Sequence, residues 1–210
     1  MEILPMGPLG ANCYLFQSGI KAFAVDPSDA DATLSALRQN GLTLTDILLT
    51  HRHFDHLLGV AALREATGCA VWIHALDAVG LRDPRAALVA MTGAPFTPCE
   101  PTGLLADGDR IFPAGVPVRV LETPGHTAGG VTYVLDEQRI ALTGDTLFCE
   151  GFGRTDLPTG SFSALRQSIE RLMELPADYA LYPGHGEPTT VAAERDHNPM
   201  LQMRRHPWFD

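Results

Sequence analysis

The sequence predicts one domain of mixed α and β structure, in the α+β class. The chain has 210 residues, of which 45% are hydrophobic, and this supplies one sizeable core. Short apolar and β-branched runs outnumber the helical patterns. Two of these runs, residues 131–135 and 139–143, are separated by only three residues, which suits a hairpin. A purely parallel sheet is therefore disfavoured.

Eight segments have the pattern of β-strands. Each is a short apolar or β-branched run that is bounded by turn-forming residues such as Gly, Pro, Asn or Asp. They are residues 12–17, 22–26, 46–50, 70–73, 116–122, 131–135, 139–143 and 179–182.

Three segments have helical patterns. The first, residues 29–40, follows Ser28, whose hydroxyl can cap it. The second is residues 55–66, which precede Gly68. The third follows Ser161, a second candidate cap, and its apolar residues recur at helical spacing. These residues are Phe162, Leu165, Ile169 and Leu172.

Residues 74–107 interrupt the regular pattern. This segment contains four prolines and only patchy helical periodicity, around residues 83–91. We expect an irregular excursion between two strand-rich halves, and long loops of this kind often cover a site. The order strand, strand, strand, helix recurs loosely in each half.

The composition argues against two classes of partner. The formal charge is −10, with 25 acidic and 15 basic residues, and no basic cluster offers a track for a phosphate backbone. No stretch reaches the roughly 18 apolar residues of a membrane span, and the start lacks the basic and apolar regions of a signal peptide. We expect a cytoplasmic protein that binds neither nucleic acid nor membrane.

The four cysteines form no CxxC pair, which predicts free thiols in a reducing compartment. They are Cys13, Cys69, Cys99 and Cys149. The oligomeric state is left open by the sequence.

A dense group of ligand residues follows the predicted strand 46–50. His51, His53, Asp55 and His56 lie within six residues, and imidazole and carboxylate are common metal ligands. In an extended segment, His51 and His53 point to the same side, whereas Asp55 and His56 fall where a helix would begin. Two adjacent sets of ligands could therefore face two different ions.

Three further predicted strands end in ligand residues. His126, Asp145 and His185 each stand beside a glycine, which lets the backbone approach closely. Each of them alone could have an ordinary structural role. Their shared position after apolar strands indicates one metal centre.

These motifs resemble those of the metallo-β-lactamase superfamily. The segment THRHFDH is similar to its THxHxDH signature, and PGHTAGG, GDTLF and PGHG are similar to its later ligand loops. The resemblance implies a four-layer αββα sandwich with two metals at one edge of the sheets. It also implies a single domain over residues 1–210, with similar halves of about 1–105 and 106–210.

The resemblance further implies a ligand set for two divalent ions. The ligands are His51, His53 and His126 for the first ion, Asp55, His56 and His185 for the second, and Asp145 as the bridge. Zinc is the expected metal, but iron and manganese accept the same ligand types.

Longer strings narrow the comparison to one subfamily. GDTLFCEGFGRTD and PGHGEPTTVAAERDHNP are similar to glyoxalase II and its relatives. Members of the best known lactam-cleaving group differ at the positions of His56 and Asp145, which disfavours antibiotic degradation. The chain stops soon after Pro199, so we expect it to lack the helical C-terminal domain that supplies much of the glutathione site in glyoxalase II.

The resemblance implies hydrolysis of 2-hydroxyacyl thioesters of the S-lactoylglutathione type, with Asp55 and Asp145 as catalytic residues. Two nearby cations can lower the pKa of a shared water toward about 7 and so produce a hydroxide nucleophile. Arg154 matches a basic residue of glyoxalase II that contacts the thiol portion of the substrate. An ion pair with Asp156 that stiffens the loop is the alternative role for Arg154.

The rival is a persulfide dioxygenase, which shares the fold, the THxHxDH string and a GRTD loop but uses one iron. The segment PGHG, residues 183–186, is the form typical of the hydrolases. Asp26 could orient a ligand loop or could be an ordinary turn residue. For His74, His197 and His206 we expect structural or surface positions.

Overall fold

Two six-stranded sheets stack face to face, with helices on both outer faces. The structure is a computed structural model, and it describes residues 1–7 and 9–203. In the first sheet the strands follow chain order. They are β1 (Glu2–Met6), β2 (Ala11–Ser18), β3 (Lys21–Val25), β4 (Thr43–Leu48), β5 (Ala70–His74) and β6 (Gly103–Leu105).

The second sheet has the spatial order β14, β13, β10, β9, β8, β7. These strands are β7 (Arg110–Ile111), β8 (Val118–Glu122), β9 (Val131–Leu135), β10 (Ile140–Gly144), β13 (Ala180–Pro183) and β14 (Thr189–Thr190). A small hairpin of β11 (Leu147–Phe148) and β12 (Gly151–Phe152) follows β10.

Within the described residues, six α-helices complete the fold. They are α1 (Ala30–Gln39), α2 (Phe54–Leu57), α3 (Val60–Thr67), α4 (Phe162–Leu172), α5 (Val191–His197) and α6 (Pro199–Gln202). One apolar core packs the first sheet against α1 and α3, and another packs the second sheet against α4. A third core lies between the two sheets. Three cores in sequence make the four-layer αββα sandwich that the motifs implied.

The two halves share one connectivity, which explains the loose recurrence in the sequence. In each half three antiparallel strands lead into a helix and then into a strand parallel to the third. In the second sheet β8, β10 and β13 run in the same direction, so their carboxyl ends meet at one edge. The carboxyl ends of β3 and β4 also meet. Residues that follow these strands are brought together.

All eight predicted strands are present, with ends shifted by a few residues. The strands β1, β6, β7, β11, β12 and β14 and the helices α5 and α6 were not predicted. The segment 74–107 is largely irregular, as expected, with short 3₁₀ turns. In the part of the chain described, no helix is long and apolar enough to cross a membrane.

Three local predictions were wrong. The cap of α1 is Asp29, whose Oδ1 accepts from the Ala32 N–H at 3.0 Å, and not Ser28. The predicted helix 55–66 is divided into α2 and α3 at Leu58 and Gly59. Gly59 allows the Pro27 carbonyl to approach, because a Cβ there would clash with it. Phe162 is 46% exposed instead of packing with its stripe.

Candidate metal centre

The seven predicted ligands converge at one edge of the two sheets. Three of them, His126, Asp145 and His185, come after strands of the second sheet. The other four lie between β4 and α2 or in the first turn of α2. Each of the seven side chains has a possible ligand atom within 4.8 Å of a ligand atom of another member of the set.

The first group of ligand atoms comes from His51, His53 and His126. Their ring nitrogens lie within 4.8 Å of one another, and all three residues are buried. His53 Nδ1 faces His126 Nε2 at 2.8 Å. The group is therefore compact enough for its nitrogens to meet on one cation.

The second group consists of Asp55, His56 and His185, with ligand atoms again within 4.8 Å. His185 Nε2 lies 3.2 Å from Asp55 Oδ2, and His56 Nε2 lies 3.7 Å from the same oxygen. Only His185 is substantially exposed, with 25% of its side chain accessible, so this group faces the cleft.

Asp145 lies between the two groups. Its Oδ2 is 3.5 Å from His126 Nε2 in the first group and 3.7 Å from His185 Nε2 in the second. Its Oδ1 is 3.4 Å from His56 Nε2. Gly184 permits this approach, because a Cβ there would clash with Asp145 Oδ1.

Several polar atoms in the cluster are buried without a hydrogen-bond partner. They are the Nε2 atoms of His51, His53 and His56 and the Oδ1 atom of Asp145. Leaving a buried polar atom unsatisfied costs about 1–3 kcal/mol, and here four such atoms occur in one place. Nitrogen and carboxylate donors of this kind fit divalent transition-metal ions.

Hydrogen bonds outside the cluster fix the orientation of four of the five imidazoles. The Nδ1 atoms of these rings meet the oxygens of Thr50 (His51), Asp26 (His56), Arg154 (His126) and Leu9 (His185), at 2.8–3.2 Å. With Nδ1 engaged as a donor, Nε2 carries the lone pair that points into the cluster. The set of contacts is typical of histidines that ligate metals.

The charge states within the cluster also favour a cation. Burial lowers the pKa of His51 well below its ordinary value and that of His53 to about 3, so both rings are neutral ligands at pH 7. Burial also lowers the pKa of His56, but Asp145, Asp26 and Asp55 outweigh it and raise that pKa to about 10. Positive charge is therefore stabilised where the carboxylates meet.

Asp26 has an orienting position and is not a simple turn residue. Its Oδ1 accepts from the Thr50 N–H at 2.8 Å, and its Oδ2 accepts from Thr50 Oγ1 at 2.6 Å and meets His56 Nδ1 at 3.0 Å. It is 1% exposed and has a φ of 54°, a conformation that Asp tolerates better than most residues. These bonds tie the end of β3 to the ligand segment.

Asp77 makes a second set of supporting bonds, which sequence reasoning missed. This fully buried carboxylate accepts from the Arg52 N–H at 3.1 Å, from Thr127 Oγ1 at 2.6 Å and from the Gly129 N–H at 3.1 Å. Burial raises its pKa. The bonds connect the segment of His53 to the loop of His126. Its position just after β5 was the available signal, since the ligands also follow strands.

Arg154 lines the cleft beside the cluster but is paired. Its Nε and Nη2 donate to the two carboxylate oxygens of Asp156, both at 2.7 Å, and both side chains are more than 60% exposed. The pair keeps the Arg154 guanidinium charged and lowers the pKa of Asp156 to about 2. The geometry matches the loop-stiffening alternative and leaves substrate contact untested.

His74 and His197 lie outside the cluster. His74 Nε2 pairs with Glu122 Oε1 at 2.8 Å, and His197 is exposed. His206 lies outside the described residues. The four cysteines are free, as expected.

Comparisons with known proteins agree with this geometry. Residues 6–185 match the family model described as the metallo-beta-lactamase superfamily. A probable metallo-hydrolase of Bacillus subtilis, YqgX, is 34% identical over 94% of this chain and 95% of its own length. A hydroxyacylglutathione hydrolase of a Bradyrhizobium species is 38% identical, but the match covers 77% of this chain and 56% of that protein.

Three solved structures are similar. BLEG-1 B3 metallo-beta-lactamase has a TM-score of 0.90 and 35% identity, with 95% of this chain and 98% of that chain covered. TTHA1623, in a di-iron-bound form, has a TM-score of 0.86 and 38% identity, with coverage of 96% and 100%. ETHE1 from Myxococcus xanthus has a TM-score of 0.78 and 31% identity, with coverage of 94% and 82%.

The match of the family model spans most of the chain and includes every residue of the cluster. This chain belongs to the metallo-beta-lactamase superfamily, and its His/Asp cluster is a metal-binding site of that fold.

Proposed function

We propose that this protein is a dinuclear metal-dependent hydrolase that cleaves thioesters, with 2-hydroxyacyl thioesters of the S-lactoylglutathione type as the first substrates to test. The observation that carries the proposal is the set of buried ligand atoms without a hydrogen bond, Nε2 of His51, Nε2 of His56 and Oδ1 of Asp145. They belong to two groups of ligand atoms that meet at Asp145.

In this proposal His51, His53 and His126 hold one ion, Asp55, His56 and His185 hold the other, and Asp145 contacts both. Bound divalent ions would polarise a substrate carbonyl and lower the pKa of water at the site. Asp145 would keep the two groups at a fixed separation, and Asp55 would complete the group on the cleft side. Zinc is our first expectation for the metal, and the di-iron form of TTHA1623 makes iron the main alternative.

The cleft itself favours a thioester over an amide. Water supplies the oxygen of the new carboxylate, the C–S bond breaks, and sulfur leaves as a thiolate. Among the described residues that line the cleft, every titratable group is a proposed ligand except Arg154, which stays charged. A leaving amine would need a proton donor, whereas a thiolate, with an ordinary pKa of about 8.5, does not.

A second candidate is oxidation of a persulfide by one iron. The GRTD loop at residues 153–156 favours it. That reaction needs only two His and one Asp as ligands, and it leaves the second complete group of Asp55, His56 and His185 without a role. We therefore rank hydrolysis first.

One sample distinguishes these functions. The protein is purified anaerobically, its metals are counted by elemental analysis, and it is then assayed with S-lactoylglutathione, a β-lactam, a phosphodiester and a persulfide under oxygen monitoring. We expect about two ions per chain and the fastest turnover with the thioester. Saturation at one iron with persulfide-dependent oxygen uptake would support the dioxygenase. Faster hydrolysis of the β-lactam would instead support β-lactamase activity, the activity for which BLEG-1 is named.

A further inference from the structure

An apolar collar surrounds the open side of the His/Asp cluster. It consists of Leu9, Phe54, Leu88, Phe148, Phe152 and Leu157. These side chains line a cleft of about 390 Å³, and all six are at least partly exposed. Exposed apolar residues that occur singly need no explanation, but six around one catalytic centre indicate a binding surface.

Leu88 is held in the collar at a conformational cost. Its φ is 62° and its ψ is 15°, a left-handed conformation that costs a residue with a Cβ roughly 1–2 kcal/mol. Backbone bonds keep it there: the Leu88 N–H donates to Arg85 O at 3.1 Å, and the Phe54 N–H donates to the neighbouring Ala87 O at 2.9 Å. Strain of this kind concentrates where a side chain has a role.

Few basic side chains line the cleft outside the His/Asp cluster. Arg154 is the only basic side chain other than the cluster histidines among the described residues that line it, and Asp156 already accepts from the Nε and Nη2 edge of its guanidinium. Apart from Arg154 and the proposed ligands, the lining of the cleft is therefore apolar.

A second hollow continues this surface. It measures about 430 Å³ and shares Phe54 and Asp55 with the cleft. Leu58, Ala62 and Ala94 also line it, together with the carboxylates of Asp31 in α1 and of its cap Asp29. An alkyl chain that extends from the cluster past Phe54 would contact mainly apolar surface.

We infer that the collar and the second hollow bind the hydrocarbon tail of the acyl group. The substrate class is then 2-hydroxyacyl thioesters with an unbranched alkyl chain longer than that of the lactoyl group. This inference rests on the proposed thioester hydrolysis, since it assigns the remainder of the same substrate.

The test is a series of 2-hydroxyacyl thioesters that differ only in chain length. The metal-loaded protein is given 2-hydroxypropanoyl, 2-hydroxyhexanoyl and 2-hydroxyoctanoyl thioesters of N-acetylcysteamine, a neutral thiol that keeps thiol recognition constant. Full burial of a methylene group is worth about 0.8 kcal/mol. The collar leaves a tail half exposed, so we expect kcat/KM to rise about twofold per methylene, or about 30-fold from the C3 to the C8 substrate.

Two variants and a matched control test whether the collar causes the dependence of kcat/KM on chain length. Leu9→Asn and Leu88→Asn each remove apolar surface from the collar, and Asn is well tolerated in the left-handed conformation of residue 88. Leu104→Asn is the control, because Leu104 is 57% exposed, against 56% for Leu9, and is not among the residues that line the cleft. Each collar variant should lower the C8 to C3 ratio of kcat/KM several-fold, whereas the control should keep the wild-type ratio.

The outcomes separate the inference from the function on which it rests. A flat chain-length profile with good turnover of the C3 substrate would overturn the hydrocarbon site and leave thioester hydrolysis intact. A chain-length effect that both collar variants retain would also overturn it. If no thioester of the series is hydrolysed by a sample with two metals per chain, the proposed function itself fails.

Discussion

Asp26→Asn tests whether hydrogen bonds outside the cluster determine metal binding. The amide has the shape of the carboxylate but must place one NH₂ group where an oxygen now accepts. The NH₂ cannot replace Oδ1, because the Thr50 N–H donates there at 2.8 Å and cannot turn. It must replace Oδ2, where the Thr50 hydroxyl can rotate but His56 Nδ1 can no longer donate.

The consequence is a change of tautomer at His56. With Nδ1 as an acceptor, the proton moves to Nε2, the atom that faces Asp145 at 3.4 Å, and a protonated nitrogen cannot ligate a metal. Loss of such outer partners typically lowers metal affinity 10- to 100-fold. We expect that loss for the ion of the second group, with a decrease of about 1–3 kcal/mol in the free energy of unfolding, or about 2–4 °C in Tm per kcal/mol for a chain of this length.

Asp46→Asn is the matched control. Asp46 also accepts three hydrogen bonds, from Thr45 Oγ1 at 2.8 Å, from Trp72 Nε1 at 3.0 Å and from the Ala114 N–H at 3.0 Å. Its variant should lose a similar amount of stability with no change in metal affinity. Chelator competition measures the affinity, and thermal unfolding measures the stability. Unchanged affinity in Asp26→Asn, or an equal loss in both variants, would refute the orienting role of Asp26.

Three further outcomes follow from the geometry. Asp145→Ala should leave at most about one ion per chain by elemental analysis, because one carboxylate faces both groups; two retained ions would exclude a bridging role. His56→Ala should remove one ion and most hydrolysis, whereas exposed His197→Ala should change neither, and equal losses would undo the ligand assignment. Arg154→Ala should lower thioester turnover: a selective rise in KM for an anionic substrate would show substrate contact, whereas equal losses for neutral and anionic substrates with a lower Tm would show that the pair with Asp156 stiffens the loop.

The ligand cluster could be predicted because its residues follow the ends of strands that are visible in the sequence. His126, Asp145 and His185 each follow an apolar run, and strands that run in the same direction bring their carboxyl ends to one edge. The order of the strands in each sheet did not need to be known. The αββα arrangement, by contrast, was available only through the family resemblance, since periodicity does not determine which sheets pack together.

The parts that sequence reasoning missed depend on contacts between segments distant in the chain. Ser28 and Asp29 are both good capping residues, and only the path of the backbone determines which one caps α1. The need for glycine at residue 59 arises from the Pro27 carbonyl, more than thirty residues away. Asp77 belongs to the ligand loops only because its strand end lies beside Arg52 and Gly129.

The two ligand groups make metal binding depend on the packing of the two halves. Each group takes two residues from the segment after β4 and one from the second half, so neither group exists in an isolated half. The halves meet next to the ligands, where the Val131 N–H donates to Thr50 O at 2.9 Å and the Tyr133 hydroxyl donates to Leu49 O at 2.7 Å. A cation that binds only the assembled cluster stabilises the assembled state by mass action. Bound metal would therefore help to hold the two halves together at this edge, in addition to supplying the proposed chemistry.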